Sequence, residues 1–294
     1  MPTDKPTDKP AAPTNQERRA AANRKLEQQL ERRTEQARKQ RIIAIAAAAG
    51  AVLIAIAATT TVALRKGGSK SGDSGGAQAE AAAGQLPPFA PSAAVGANCE
   101  YPQSPLPASK QVRPPRAGKV PTDPAEVSIS MMTDQGPIGL MLANAKSPCT
   151  VNSFISLATQ KFFDDTQCHR LTAAPSLSVL QCGDPSADGT GGPGYQFANE
   201  YPTDQYPPGD PALEQALTYP RGTLAMANAG PGTNGSQFFM IYKDSQLPPK
   251  YTVFGKIQDD GLATLDKIAA AGVKGGGEDG QPATKVVIKS VRVD

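Results

Sequence analysis

The chain has no tryptophan and a single histidine, His169, among its 294 residues. One isolated histidine removes the usual Ser-His and Cys-His hydrolases, which need an imidazole paired with a nucleophile and an orienting partner. His169 reads instead as a packed strand residue. The four cysteines, at positions 99, 149, 168 and 182, fit no zinc spacing. Gly189, Gly191 and Gly194 spell G-x-G-x-x-G, but Pro193 interrupts the run and no strand–helix unit surrounds it, which excludes a nucleotide site. No metal and no cofactor is therefore expected. Aromatic residues are missing before Phe89. Residues 1–16 are mostly Pro, Thr, Asp, Lys and Ala, too poor in apolar groups for a core, and are expected to be disordered.

Charge is absent from Ile42 to Leu64, a run of 23 residues. A helix rising about 1.5 Å per residue crosses a hydrocarbon core of roughly 30 Å in that length. The 41 residues before it are too many for the charged end of a secretory signal, so an uncleaved anchor is expected. Those residues carry 11 Lys/Arg, which by the positive-inside rule keeps the N-terminus in the cytoplasm and sends the remainder across. Within them, Glu17 to Arg41 is rich in Ala, Arg, Lys, Glu and Gln and predicts a polar helix, either solvated or lying against anionic headgroups.

The net charge of +3 is unevenly divided. Residues 1–121 hold 18 Lys/Arg against 9 Asp/Glu, a net of +9, and residues 122–294 hold 12 against 18, a net of −6. The basic character belongs to the arm and linker, so nucleic acid is not an expected partner of the folded part. Four segments are predicted: a cytoplasmic basic arm over 1–41, a transmembrane helix over 42–64, a Gly/Ser/Pro-rich linker over 65–121 and a globular domain over 122–294. Cys99 is the unexpected member of the linker.

The globular part is mainly β. Strands are predicted at Val127–Met131, Ile138–Leu142, Gln167–Leu171, Ser178–Gln181, Gly222–Met226, Ser236–Tyr242, Thr252–Lys256 and Lys285–Val293. Helices are predicted from Pro148 and over Leu262–Ala271. In the strand from Ser236, alternation puts Gln237, Phe239 and Ile241 on one face and Phe238, Met240 and Tyr242 on the other. Asn234-Gly235 supplies the tight turn before it. Many short strands with two helices suggest a closed β-barrel capped by helices.

Met226-Ala-Asn-Ala-Gly230 followed by Thr233-Asn-Gly-Ser-Gln-Phe-Phe239 resembles the most recognisable run of the cyclophilins, the peptidyl-prolyl cis-trans isomerases. Cys168-His169-Arg170, Gln181-Cys182-Gly183-Asp184, Gly189-Thr190-Gly191-Gly192 and Val253-Phe254-Gly255 follow that family's order. With the apolar segment, the resemblance is to the membrane-anchored, actinobacterial-like kind. It implies the cyclophilin barrel and catalysis of prolyl rotation. Arg170 is then the donor to the prolyl nitrogen, Gln181 its positioning partner and Phe239 the floor of the proline pocket. Val179, Leu247 and Tyr251 are implied as pocket walls, Ala227 and Asn228 as holders of the peptide backbone, and Gln237 and Gly189 as the lining of the adjacent groove. The chain departs from the family pattern in three places. Arg170 and Gln181 are three residues further apart, which puts Ser178 and Val179 where an aromatic and a Met would stand and takes apolar bulk from the pocket. Gln246 falls at the pocket-edge Trp, and Tyr251 at the pocket His.

The expected partners are Pro-containing polypeptides, namely exported or envelope proteins, together with the lipid bilayer. The rival reading is a binding module that holds Pro-containing segments with little turnover. In an oxidising compartment the cysteines should form disulfides. If Arg170 and Gln181 share a face, strand parity puts Cys168 on that face and Cys182 on the other. Cys168 is then expected to pair with Cys149 or Cys99 rather than with Cys182.

Overall fold

The computed structural model describes residues 84–294. The predicted arm, the apolar run Ile42–Leu64 and the first part of the linker lie outside the described residues. Among the described residues no helix is long and apolar enough to cross a membrane.

Among the described residues twelve strands and two α-helices follow one another as β1 (Val127–Thr133), β2 (Gly136–Leu142), α1 (Pro148–Thr159), β3 (Thr166–Gln167), β4 (Arg170–Thr172), β5 (Val179–Cys182), β6 (Leu217–Tyr219), β7 (Thr223–Met226), β8 (Phe238–Ile241), β9 (Ser245–Leu247), β10 (Val253–Ile257), α2 (Asp259–Ala271), β11 (Asp279–Gly280) and β12 (Val287–Val293). Ten strands form one antiparallel sheet in the order β11-β4-β5-β8-β7-β10-β2-β1-β12-β3, and β6 pairs with β9 separately. The sheet curls into a half-barrel with two ends, β11 and β3, so the closed barrel expected from the sequence is corrected. The reason lies in the strand predicted over Gln167–Leu171, which is two strands. Val287 and Ile288 pair with Gln167 and Thr166, whereas Arg170 and Leu171 pair with Gln181 and Leu180 at the opposite end of the sheet. Cys168 and His169 carry the chain across the seam between them.

Alternation sorts the side chains into two apolar clusters. Phe238, Met240 and Tyr242 join the main core with Leu180, Leu224 and Phe254. Phe239 and Ile241 face the other way, with Val179, Ala225 and Tyr219. The main core is centred on Phe154 of α1, whose ring lies 5.0 Å from Phe163 and 5.4 Å from both Phe238 and Phe254. Helix α1 begins with Pro at its first turn, where the missing N–H costs nothing. Ser147 does not cap it; Glu200, from a distant loop, does. The Glu200 carboxylate accepts from the Cys149 and Thr150 N–H groups at 2.9 and 2.8 Å and from the Thr150 hydroxyl at 2.7 Å. Burial nevertheless pushes Glu200 up to about 7, against the pull of these hydrogen bonds. Helix α2 lies close on β2 at Gly261, where a Cβ would come within 3.0 Å of the Gly139 nitrogen.

Residues 84–121, read in the sequence as linker, form no extended helix or strand, only isolated bridges such as Cys99 to Gly118. They are nevertheless seated on the domain. Cys99, Tyr101 and Val120 are buried in the main core. Tyr101 packs edge-on to Tyr195 and Phe197 and donates its hydroxyl to the Cys149 carbonyl at 2.7 Å. The Lys110 ammonium donates to the Lys161 carbonyl at 2.6 Å. Proline keeps this chain extended, and the few apolar residues between the prolines fasten it.

The disulfides are Cys99–Cys149 and Cys168–Cys182. The expectation that Cys168 would avoid Cys182 is thus corrected, and the premise that Arg170 and Gln181 share a face is not at fault. Parity does not run from Arg170 back to Cys168, because the strand breaks between them. The Cys168 N–H donates to Val286 at 2.9 Å, on the far side of the seam, and its side chain lies in the main core with Cys182.

Candidate active site

Strand β5 lies between β4 and β8 and brings three chain segments side by side. Arg170 is opposite Gln181, and Gln181 is opposite Phe239. Because Val179 and Gln181 alternate with Leu180 and Cys182, the first two lie on the sheet face of Phe239 while the latter two fill the main core.

A line of hydrogen bonds crosses this face. The Arg170 guanidinium donates from Nε and Nη2 to the two carboxylate oxygens of Asp279, each at 2.7 Å. Its Nη1 donates to Gln181 Oε1 at 3.2 Å. Gln181 Nε2 donates to Gln237 Oε1 at 2.8 Å. Gln237 Nε2 donates to the carbonyls of Gly189 and Gly191 at 2.9 and 3.0 Å. Each amide is oriented by both of its neighbours. Asp279 raises the Arg170 pKa further through these bonds, and Arg170 holds the Asp279 carboxyl below its ordinary range.

The loop that supplies Gly189 and Gly191 is itself held. Asp184 accepts from the Ser186 N–H and hydroxyl at 2.7 and 2.6 Å and from the Gly189 N–H at 2.7 Å. Burial works to raise the Asp184 pKa, and these donors keep it below its ordinary value. Gly183 has φ +90°, and a Cβ there would sit 2.2 Å from the Ser236 carbonyl, so only glycine allows the loop to pass so close to the start of β8.

Beside this polar line is an apolar cavity of about 150 Å³, bordered by Phe239, Val179, Leu177, Leu247, Tyr251 and the edge of Arg170. Phe239 is 5% exposed. Tyr251 meets it edge-on with centroids 5.8 Å apart. Ala227 and Asn228 close the remaining side. Asn228 is fixed by its own amide, which donates to the Lys250 carbonyl at 2.9 Å.

All ten residues singled out in the sequence therefore meet on one face. Arg170, Gln181, Phe239, Val179, Leu247, Tyr251, Ala227 and Asn228 border the apolar cavity. Gln237 and Gly189 border a larger hollow next to it, which shares Gln181, Ala227 and Asn228. Three features escaped the sequence reading. Asp279 comes from a short strand behind a glycine-rich stretch, with no local signal to link it to Arg170. Leu177 belongs to the extra residues between Arg170 and Gln181. It turns back through a bridge to Ala174 and restores the apolar bulk that Ser178 removes. Ser104 to Pro107 line the larger hollow, although they precede the predicted domain. Gln246, which the resemblance sets at the family's Trp, is exposed on β9 and donates from its Nε2 to Thr218 Oγ1 at 2.8 Å. His169 is buried, with neither ring nitrogen bonded to a protein group, and burial lowers its pKa.

The arrangement suits a reaction that breaks no bond. Rotation about an X-Pro amide faces a barrier of about 20 kcal/mol because the planar form is resonance-stabilised. The twisted form has a more basic nitrogen and a more localised carbonyl. A fixed cationic donor next to an apolar socket of this size can stabilise that form more than the planar one.

The sequence model described as cyclophilin type peptidyl-prolyl cis-trans isomerase/CLD matches residues 128–293. The chain is 73% identical over 209 residues to a protein of Mycobacterium tuberculosis (strain CDC 1551 / Oshkosh) named probable peptidyl-prolyl cis-trans isomerase B, covering 71% of this chain and 68% of that one. It is 70% identical over 209 residues to the Mycobacterium leprae protein of the same name, covering 71% of each. A Streptomyces anulatus peptidyl-prolyl cis-trans isomerase B is 36% identical over 182 residues, 56% of this chain and 95% of that one. With these likenesses and this sheet, the chain belongs to the cyclophilin-type peptidyl-prolyl cis-trans isomerases.

Proposed function

We propose that this isomerase turns prolyl bonds in proteins that leave the cell or reside in its envelope, working from a domain held outside the cytoplasm. One observation carries the chemistry: the guanidinium of Arg170, oriented from both sides by Asp279 and Gln181, borders the same cavity as Phe239. The proline ring sits on Phe239 between Val179, Leu177, Leu247 and Tyr251. Arg170 donates to the prolyl nitrogen as the amide twists and loses conjugation. Gln181 holds Arg170 and meets the substrate carbonyl, while Ala227 and Asn228 hold the backbone of the preceding residue. Arg170 stays protonated at any working pH, so the reaction needs no proton transfer.

The placement rests on the sequence. The uncharged run Ile42–Leu64 follows 11 Lys/Arg, which anchors the chain with its N-terminus in the cytoplasm. The two disulfides fit an oxidising compartment. Two measurements test the reading. The full chain should accelerate cis-trans exchange in an X-Pro peptide followed by NMR line shape. A reporter that is active only outside the cytoplasm, fused after Asp294, should be active in the intact cell. Loss of the first result removes the chemistry; loss of the second removes the envelope role.

A further inference from the structure

The larger hollow beside the proline cavity has a volume of about 470 Å³. Its inner end belongs to the site already described, since Gln181, Ala227 and Asn228 border both hollows. Its outer wall is Ser104-Pro105-Leu106-Pro107. That segment lies outside residues 128–293, which match the family, so the matched domain does not build this wall.

The wall is strapped in place. The Ser104 N–H donates to the Gly194 carbonyl and the Ser109 N–H to the Gly192 carbonyl, each at 2.9 Å. In return the Gln196 N–H donates to the Pro102 carbonyl at 2.9 Å and the Gly192 N–H to Ser109 Oγ at 3.0 Å. Ala108 packs so closely that a Cβ on Gly194 would meet it at 3.0 Å. Cys99, five residues before Ser104, is bonded to Cys149. Pro105 and Pro107 fix φ and carry no N–H, so little freedom remains to be lost on binding.

Between those prolines Leu106 is 60% exposed, more than any other large apolar residue among the described residues. A lone exposed leucine is ordinary. This one borders a groove continuous with the substrate site. None of the residues bordering the groove is charged, so a charged guest would find no ionic partner there. Gln237, on the opposite side, has both donors of its amide engaged by Gly189 and Gly191. Apolar burial against Leu106 and the flanking proline rings is a gain open to a guest on this side of the groove.

We propose that Ser104–Pro107 is a specificity wall, and that Leu106 takes one apolar side chain of the substrate polypeptide, a few residues from the proline that is turned. The proposal rests on the reading of Arg170 and Phe239 as the prolyl-isomerising site.

The test is a peptide scan with the full chain. A single Leu or Asp is moved from three residues before the proline to three after it, with Ala elsewhere, and kcat/KM is measured for each. At one or two positions the Leu peptide should exceed the Asp peptide by about fourfold or more, the factor that burying one methylene is worth. Leu106→Asp should abolish or invert that ratio, and Leu106→Met should keep it. Met132→Asp, at another exposed apolar residue away from the groove, should also keep it. A ratio unchanged in Leu106→Asp, or no responsive position in the scan, overturns the wall and leaves the isomerase intact. No exchange with any peptide overturns both.

Discussion

Arg170 and Asp279 meet as two planar groups joined by parallel hydrogen bonds of 2.7 Å, across 109 residues of sequence. Both side chains are partly open to solvent, 37% and 56% exposed, so the pair adds little to stability. Its effect is geometric. With Nε and Nη2 engaged by Asp279 and Nη1 by Gln181, the guanidinium has one orientation at the mouth of the cavity.

Asp279→Asn should therefore lower kcat/KM by about two- to fivefold, the scale of an exposed ion pair, while the unfolding midpoint barely moves. The sign with pH follows from the depressed carboxyl of Asp279. The pair is complete above the ordinary Asp range near pH 4 and is lost as pH falls through the lower folded value. Wild-type activity should show no step from this pair between about pH 5 and 8. Unchanged kcat/KM in Asp279→Asn, measured by NMR exchange, would leave Asp279 without a role in positioning Arg170.

Leu177 supplies the apolar wall that Ser178 cannot. Leu177→Ala should raise KM for proline peptides and lower kcat/KM by about fivefold or more, with the fold intact because Leu177 is only half-buried. A variant with wild-type KM would show that the extra residues before β5 do not reach the substrate.

The Cys99–Cys149 bond closes a loop across 50 residues. Cys99→Ser should cost about 2–4 kcal/mol in urea unfolding under non-reducing conditions. Deleting residues 84–121 should cost more, because Tyr101 and Val120 leave the core with the disulfide. An equally stable deletion variant would mean that the segment rests on the domain without supporting it.

Glu200 has an ordinary value of 4.5 and a folded value of about 7, with burial as the leading cause. A raised carboxyl favours the folded state when protonated. Its contribution is fully present below 4.5 and is lost as pH rises through about 7. Glu200→Gln removes the titration, so the decline in unfolding midpoint from pH 5 to 8 should flatten. Parallel pH dependences in the two proteins would contradict this.

Much of this was legible in the sequence, and the exceptions share a cause. The alternation in Ser236–Tyr242 put Phe239 and Phe238 on opposite faces, where the two clusters hold them. Local periodicity suffices when a strand is unbroken. It failed at Cys168, where the chain leaves the β12 ladder and joins that of β5, so parity could not be carried across. Asp279, Glu200 and Ser104–Pro107 act through contacts far away in sequence, and no nearby spacing announces them. The segment 84–121 has the composition of a linker. A few residues, Cys99, Tyr101 and Val120, decide that it packs, and composition averages them away.

The role proposed for Arg170 is to stabilise the twisted prolyl amide. The most direct measurement is kcat/KM of Arg170→Ala on an X-Pro peptide, with near-ultraviolet circular dichroism to verify the fold. The expected result is a native spectrum and a loss of roughly tenfold or more, about 1.4 kcal/mol of transition-state stabilisation. A folded Arg170→Ala protein that turns prolyl bonds at the wild-type rate would contradict it.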